Sequence, residues 1–349
     1  MKHLSIGIAG YGLRGRQLHL LFDRHEEGVY VTNIADPTFI AMDVNELTTY
    51  TPLLSVKELC DSRCEVVVIA TPDYLHEEHA CLALDAGKHV FLEKPMAITS
   101  EGCDRIMEAA RRNNRVLYVG HNLRHFTVIK KLKQLIDSGA VGDVKSVWCR
   151  HPVSYGRWGY FKEGRWHKKR SHTESLLIHK GSHDLDVIHW LAGGYTTRVV
   201  AMGSLSVWGD QPGEPDIEDM SSVLMHLDNG VQATYSQCHF AFGLACREYM
   251  IFGTNGTLRN QGDNPATAVV QLFSKRGFNP EAMKGENYRF TEEQGFHGDA
   301  DRRIIDEFIG ILRGTAQPTI SLNDAAWAVK TGYAATHSLR NGNIVVNVK

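Results

Sequence analysis

Short apolar runs alternate with helical spacing over residues 1–120. The runs Leu4–Ala9, Tyr30–Ile34, Glu65–Ala70, His89–Leu92 and Val116–Val119 predict strands. His76–Ala86 and Ser100–Asn113 carry the spacing of helices, and Gly87 stands where the first of them should stop. Strands buried on both faces and separated by helices predict βαβ units and a parallel sheet. Beyond residue 120 the pattern changes. A helix over Thr127–Ser138 leads into a strand at Val144–Arg150. Ser221–Leu227 and Val231–Gln237 flank Asp228-Asn229-Gly230, and Glu248–Phe252 precedes Asn255-Gly256. Asn-Gly between apolar runs predicts hairpins, because both residues tolerate positive φ. Helices over Asp299–Arg313 and Leu322–Arg340 close the chain, packing on that sheet or returning to the first domain. The expected architecture is α/β: a Rossmann-type doubly wound parallel sheet in residues 1–121, then an α+β domain with a large, mainly antiparallel sheet in residues 122–349.

A length of 349 residues suits two cores better than one. The net charge of −2 gives no electrostatic reason to expect nucleic acid or an anionic membrane. No apolar stretch reaches the roughly 18–20 residues of a spanning helix. Met1-Lys2-His3 runs directly into Leu4–Ala9, which reads as a strand rather than a leader. The seven cysteines are scattered, as expected of reduced thiols in a cytoplasmic protein. Asn255-Gly256-Thr257 matches a glycosylation acceptor but reads better as a turn.

Gly10-Tyr11-Gly12-Leu13-Arg14-Gly15 fits G-x-G-x-x-G between a buried strand and a helical pattern, the setting in which that hexapeptide gains meaning. The first glycine permits a tight turn, the second lets backbone N–H groups approach a pyrophosphate, and the third lets helix and strand pack closely. Asp36 ends the second strand, 21 residues past Gly15. A carboxylate there can accept from adenosine ribose hydroxyls and would repel a 2′-phosphate, which favours NAD over NADP. Arg14 and Arg16 are the nearby cations that oppose this preference.

Two further segments carry chemistry. Ala70-Thr71-Pro72-Asp73-Tyr74-Leu75-His76 and Glu93-Lys94-Pro95 follow strands, and ligands of doubly wound sheets bind outside the carboxyl ends of strands. Thr71, Pro72, His76, Glu93 and Lys94 are therefore expected beside the cofactor, with Lys94 held on an extended bend by the proline. In His179-Lys180-Gly181-Ser182-His183-Asp184-Leu185-Asp186-Val187-Ile188-His189-Trp190, an ideal helix puts His179, His183, Asp186 and Trp190 on one stripe roughly 60° wide. Val187, Ile188 and Leu191 fall on the other side, a pattern suited to a helix lining a cleft. Histidine titrates near neutrality and can take a hydroxyl proton while a hydride leaves carbon.

On Gly10–Gly15, Ala70–His76, Glu93-Lys94-Pro95, Val119-Gly120-His121-Asn122-Leu123-Arg124 and Gly181–Asp186, the chain resembles the glucose–fructose oxidoreductase/inositol dehydrogenase (Gfo/Idh/MocA) family over nearly its whole length. The resemblance implies NAD(P) at the glycine-rich turn and a sugar, inositol or related polyol at the domain junction. It implies that Lys94 binds the reacting hydroxyl and that His183 is its base. It also implies that His121 and Trp166 approach the nicotinamide and that His297 points toward substrate. Relatives usually carry aspartate four residues before the base. This chain has His179 there, and Thr173-Glu174-Ser175 replaces a stretch commonly rich in glycine.

The expected activity is hydride transfer between such a hydroxyl and NAD, with Lys94, His183 and His179 as the catalytic set. A redox-neutral hydrolase or lyase with tightly held NAD, and a non-catalytic NAD-bound regulator, are the alternatives. A metal at His179 and His183 lacks further ligands in the sequence, so none is expected. The basic run Lys168-Lys169-Arg170 reads as solvated, and self-association into a dimer or tetramer is expected.

Overall fold

Ile6, Ile8, Val66–Ile69 and Val90–Leu92 are buried on both faces, the environment that continuous apolar runs demand. The computed structural model describes residues 3–23, 25, 28–41, 50–154, 159–277, 280–290 and 296–348. They divide into two compact units, Met1–His121 with Asp301–Ala326, and Asn122–Ala300 with Trp327–Lys349.

The first unit runs β1 (Leu4–Ala9), α1 (Leu13–Asp23), β2 (Val29–Ala35), β3 (Thr51–Leu53), α2 (Val56–Asp61), β4 (Val66–Ile69), α3 (His76–Asp85), β5 (His89–Leu92), α4 (Ser100–Arg112) and β6 (Leu117–Val119). The strands pair in parallel in the order β3-β2-β1-β4-β5-β6. Winding reverses between β1 and β4, and such a switch point opens a crevice at the strand ends. The caps are local: the Ser55 side chain accepts from Glu58 N–H, and Thr99 Oγ1 accepts from Gly102 N–H at 3.0 Å. Residues 301–326 belong to this unit rather than to the sheet that follows. Phe308 meets Phe91 at 5.4 Å between ring centroids, and Tyr118 OH donates to Glu307 at 3.1 Å.

The second unit begins with α5 (Thr127–Asp137), β7 (Val144–Ser154), α6 (Arg170–Thr173), α7 (Leu176–His179) and α8 (Gly181–Ala192). It continues through β8 (Thr196–Ser204), β9 (Met220–Leu227), β10 (Gln232–Ala241), β11 (Glu248–Gly253), β12 (Thr257–Gln261), β13 (Val269–Phe273), α9 (Pro280–Met283), β14 (Glu286–Arg289) and β15 (Phe296–Asp299). α10 (Ala300–Leu312), α11 (Leu322–Arg340) and β16 (Val346–Asn347) end the chain. Nine strands form one sheet in the order β14-β13-β12-β11-β7-β10-β9-β8-β16, antiparallel except where β7 meets β10. Both Asn-Gly sites are hairpin turns, β9–β10 at Gly230 (φ 82°) and β11–β12 at Gly256. Inward residues Val147, Val223, Ala233 and Ile251 pack with Ile129 and Leu132 of α5 and Ile188 and Leu191 of α8. Each fully buried Leu or Ile there contributes roughly 1.5–3 kcal/mol. The outward positions Trp148, Met202, Met220 and Leu224 are exposed.

Candidate active site

At the end of β1, Gly10 has φ +88°, and a Cβ there would lie 2.7 Å from the Ala70 carbonyl oxygen. A Cβ at Gly15 would lie 1.9 Å from the Gly10 carbonyl oxygen, so only glycine lets α1 start this close to the turn. At Gly12 a Cβ would meet nothing within 4 Å. The turn thus presents bare backbone at the N-terminus of an 11-residue helix, which fits the pyrophosphate of a dinucleotide.

Asp36 is tied to this turn. Its Oδ2 accepts from Tyr11 N–H at 2.6 Å, and its Oδ1 accepts from Thr38 N–H and Oγ1–H at 2.9 and 2.6 Å. A carboxylate offers about four acceptor positions, so one remains for a ribose hydroxyl rather than the two a bidentate grip would use. Its charge still opposes a 2′-phosphate. Tyr11 OH shares a 2.8 Å hydrogen bond with His19 Nδ1. Arg14 is committed elsewhere: Nε donates to Glu93 at 2.7 Å, and Nη1 and Nη2 reach Asp301 at 2.8 and 3.0 Å. Arg16 donates to the Tyr11 carbonyl at 3.1 Å and lies over its ring. Leu13 is exposed beside them.

The other strand ends are clamped by His76. This buried imidazole sets Nδ1 2.7 Å from the Pro95 carbonyl oxygen and Nε2 3.0 Å from that of Thr71. It thereby joins the Thr71-Pro72 turn to the Glu93-Lys94-Pro95 turn, whose Lys94–Pro95 peptide is cis. Glu93 receives Arg14 on one oxygen and Lys94 N–H, at 3.3 Å, on the other. Lys94 is half-buried, and His121 is buried just past β6.

In the second unit the expected single helix is two. α7 ends at His179, Lys180 links, and α8 starts at Gly181. A Cβ at Gly181 would lie 3.1 Å from Tyr235 Cε1, so the glycine seats that tyrosine. The stripe reading needs correction as well. α8 is buried on nearly every side, and Asp186 faces the Arg124 guanidinium, which donates to both carboxylate oxygens at 2.9 and 2.6 Å. Trp190 packs under the same guanidinium, 5.3 Å from its ring centroid. His183 lies on the first turn of α8. His179 is ringed edge-on by His167, Tyr160 and Trp166 at 4.9, 5.1 and 5.6 Å. His297 lies with Asn122 Nδ2 at 3.2 Å and the Phe126 ring at 6.0 Å. Lys168, expected to be solvated, is buried and donates to the Pro212 carbonyl.

Asp184 is the residue the sequence reading passed over. Its four acceptor positions are filled by His151 Nδ1 at 2.7 Å, Tyr235 OH at 3.0 Å, Tyr249 OH at 2.7 Å and Arg247 Nε at 2.9 Å. Burial would raise its carboxyl, but His151, Arg247 and these donors hold it well below the usual carboxylate range. Burial, then Arg247, pushes His151 down to about 4 against the opposing pull of Asp184. Tyr235, Gln237 and His239 alternate along the inward side of β10, with His239 Nε2 3.2 Å from Gln237 Oε1. Polar residues at period-two spacing were the available signal. Among the described residues no three His, Cys, Asp or Glu side chains gather as metal ligands.

Two family models match: the NAD-binding Rossmann-fold domain of the GFO/IDH/MocA oxidoreductase family over residues 4–121, and its C-terminal domain over residues 129–259. The chain belongs to this family. It is 35% identical over 244 residues to 1-carboxy-3-chloro-3,4-dihydroxycyclohexa-1,5-diene dehydrogenase of Comamonas testosteroni, a match covering 67% of this chain and 58% of that one. It is 28% identical over 265 residues to 2,7-anhydro-N-acetylneuraminate hydratase of Mediterraneibacter gnavus, covering 74% and 67%. The fold superposes on that of levoglucosan dehydrogenase in complex with NADH with a TM-score of 0.87 over all of both chains, at 20% identity.

Proposed function

We propose that this family member is an NAD-dependent oxidoreductase that moves a hydride between a carbinol carbon of a sugar, inositol or related polyol and nicotinamide. The supporting observation is the glycine cradle at the β1–β4 switch point together with Lys94 on the clamped turn after β5. When bound there, NAD supplies the hydride acceptor. The bare amides of Gly10–Gly15 hold its pyrophosphate, Asp36 takes a ribose hydroxyl, and Thr71, Pro72 and His121 border it. His76 and Glu93 act by fixing the turns that carry Lys94. The Lys94 ammonium donates to the reacting hydroxyl and stabilises the negative charge that grows on its oxygen. His183 takes the hydroxyl proton, and His179, Trp166 and His297 orient the substrate.

The relatives frame a second reading. One is named a dehydrogenase, of a carboxy- and dihydroxy-substituted cyclohexadiene, and one a hydratase, of 2,7-anhydro-N-acetylneuraminate. A redox-neutral reaction would use the same residues and return the hydride within one turnover. A non-catalytic NAD-bound regulator would need neither Lys94 nor His183. Screening sugars, inositols and glycosides with NAD, reading both NADH absorbance and product mass, separates the three. NADH accumulation supports the dehydrogenase, product without NADH the redox-neutral enzyme, and neither the regulator.

No disulfide joins any of the seven cysteines, which suits a reducing cytoplasm. The exposed apolar face around Trp148, Met202, Met220 and Leu224 suits a homo-oligomer, a dimer or tetramer.

A further inference from the structure

We infer that Arg340, at the end of α11, is a positioning residue: it holds a strained turn at Glu174 that keeps Trp166 and His167 against His179. This rests on the reading in which Trp166 and His179 orient a polyol.

Glu174 joins α6 to α7 in a conformation that side chains rarely adopt, φ 57° and ψ −57°. Ser175 N–H donates to the Thr173 carbonyl at 2.7 Å. These features define a γ-turn of the rare, strained hand, unfavourable for any residue with a Cβ. Such a bend persists only where its surroundings over-determine it. Here one guanidinium does so. Arg340 Nη1 donates to Glu174 Oε1 at 2.6 Å and Nη2 to the Glu174 carbonyl at 2.8 Å, gripping side chain and backbone together. Nε and Nη2 also donate to the two Glu218 oxygens at 2.8 and 2.9 Å, which anchors the guanidinium just before β9. A lysine lacks the planar fork that this set requires.

The rest of α11 prepares the same contact. Gly332, Thr336 and Arg340 are spaced by four and share one stripe of the helix. A Cβ at Gly332 would lie 2.9 Å from the Leu177 carbonyl oxygen, so the glycine lets α7 lie close. Thr336 Oγ1 donates to the Gly332 carbonyl at 2.8 Å, which leaves it to accept from Ser175 Oγ at 2.6 Å. The chain is thus fixed from Glu174 to Leu177, and His179 ends α7. On the other side of the turn, Thr173 Oγ1 donates to the His167 and Lys169 carbonyls at 3.0 and 3.2 Å. The bend therefore folds the Trp166-His167 segment back beside the end of α7. His167 stacks on Trp166 at 3.8 Å between centroids, and both rings meet His179 edge-on, at 4.9 and 5.6 Å. Relaxing Glu174 to an ordinary backbone conformation moves one arm of this cluster away from the other.

The test compares Arg340→Met, Glu174→Gly and the two combined, with Glu174→Ala as reference. Glycine takes positive φ without strain, so the combined variant keeps the turn without the guanidinium. One readout is the fluorine NMR resonance of fluorotryptophan at Trp166, assigned with Trp166→Phe, which senses the stacked His167 ring without turnover. The other is kcat/KM for a polyol, beside the Kd of NADH. Arg340→Met should shift the resonance and lower kcat/KM at least about tenfold, the scale of a displaced positioning group, with NADH affinity unchanged. Adding Glu174→Gly should restore the resonance and most of the lost kcat/KM. The Tm of Arg340→Met falls in either case, because Glu218 loses its partner, and the glycine does not repair that. Recovery of the site readouts is therefore the signature of the turn. Glu174→Gly should also melt above Glu174→Ala, the reverse of the order at an ordinary backbone position. An unmoved resonance or an unchanged kcat/KM in Arg340→Met, a loss that Glu174→Gly does not recover, or an alanine variant that melts above the glycine one overturns the inference. If no polyol reduces NAD, the dehydrogenase reading fails and the resonance with the melts still decides the role of Arg340. If the parent oxidises polyols and Arg340→Met matches it, the inference fails and that reading stands.

Discussion

Acidification should loosen the second unit through His151. Its buried imidazole donates to Asp184 at 2.7 Å, and it titrates near 4 when folded. In the unfolded chain a histidine titrates near 6.5. The unfolded state thus takes up the proton first. The stabilisation is complete above pH ~6.5 and is lost as the pH falls toward 4, by ~3 kcal/mol in all at about 1.36 kcal/mol per pH unit. Between pH 7 and pH 5 the loss is about 2 kcal/mol. Asp184 stays ionised across that window because its partners hold it well below the usual range. The assay is urea unfolding of the parent and of His151→Asn at both pH values, since asparagine can still donate to Asp184 but cannot titrate. His239 is depressed as well, but it is present in both proteins and largely cancels in the comparison. The parent should lose about 2 kcal/mol more than the variant between the two pH values. Identical pH dependence in the two proteins would refute a buried neutral His151.

Three further outcomes are expected. NAD should bind roughly tenfold more tightly than NADP, because Asp36 would meet the 2′-phosphate with like charge; calorimetry with each nucleotide checks this, and equal affinities would remove that role. Lys94→Ala should leave NAD affinity nearly unchanged and lower turnover about 10²-fold, the scale of losing one donor to a developing oxyanion; steady-state kinetics beside a nucleotide titration reads both. Asp186→Asn should cost about 3–5 kcal/mol because it removes the carboxylate charge that faces the buried Arg124 guanidinium, and denaturant melts should show Arg124→Met with Asp186→Leu recovering part of that loss.

The first unit was legible in the sequence because each of its elements signals itself locally. Leu4–Ala9 is apolar but for Ser5, Gly10 and Gly15 sit at backbone contacts that admit no side chain, and Gly87 follows α3 at φ 75°. Even there, the short strand Thr51–Leu53 and the helix Val56–Asp61 escaped notice, each carrying too few residues for a pattern. The second sheet showed through its two Asn-Gly turns, while β8, β12, β13 and β14 did not. β8, for example, buries only Thr196, Val199 and Ala201 and is exposed at its end, so its apolar signal is diluted. Helical projection placed His183 and Asp186 on one stripe but could not give depth, and a helix enclosed by partners has no solvent face to contrast. The Asp184 network joins His151 of β7, Tyr235 of β10, and Arg247 and Tyr249 at the start of β11. Each is unremarkable at its own position, and only the strand pairing brings them together.

The central claim is that a carbon-bound hydrogen of a polyol reaches nicotinamide on this protein with Lys94 at the reacting oxygen. The most direct test is a single turnover with NAD and an active polyol carrying deuterium at its carbinol carbons, followed by mass analysis of the recovered nucleotide. The account predicts NADH bearing one deuterium from the parent protein and about 10²-fold less from Lys94→Ala. Consumption of the polyol with no deuterium in the nucleotide, or equal labelling by the Lys94→Ala protein, would contradict it.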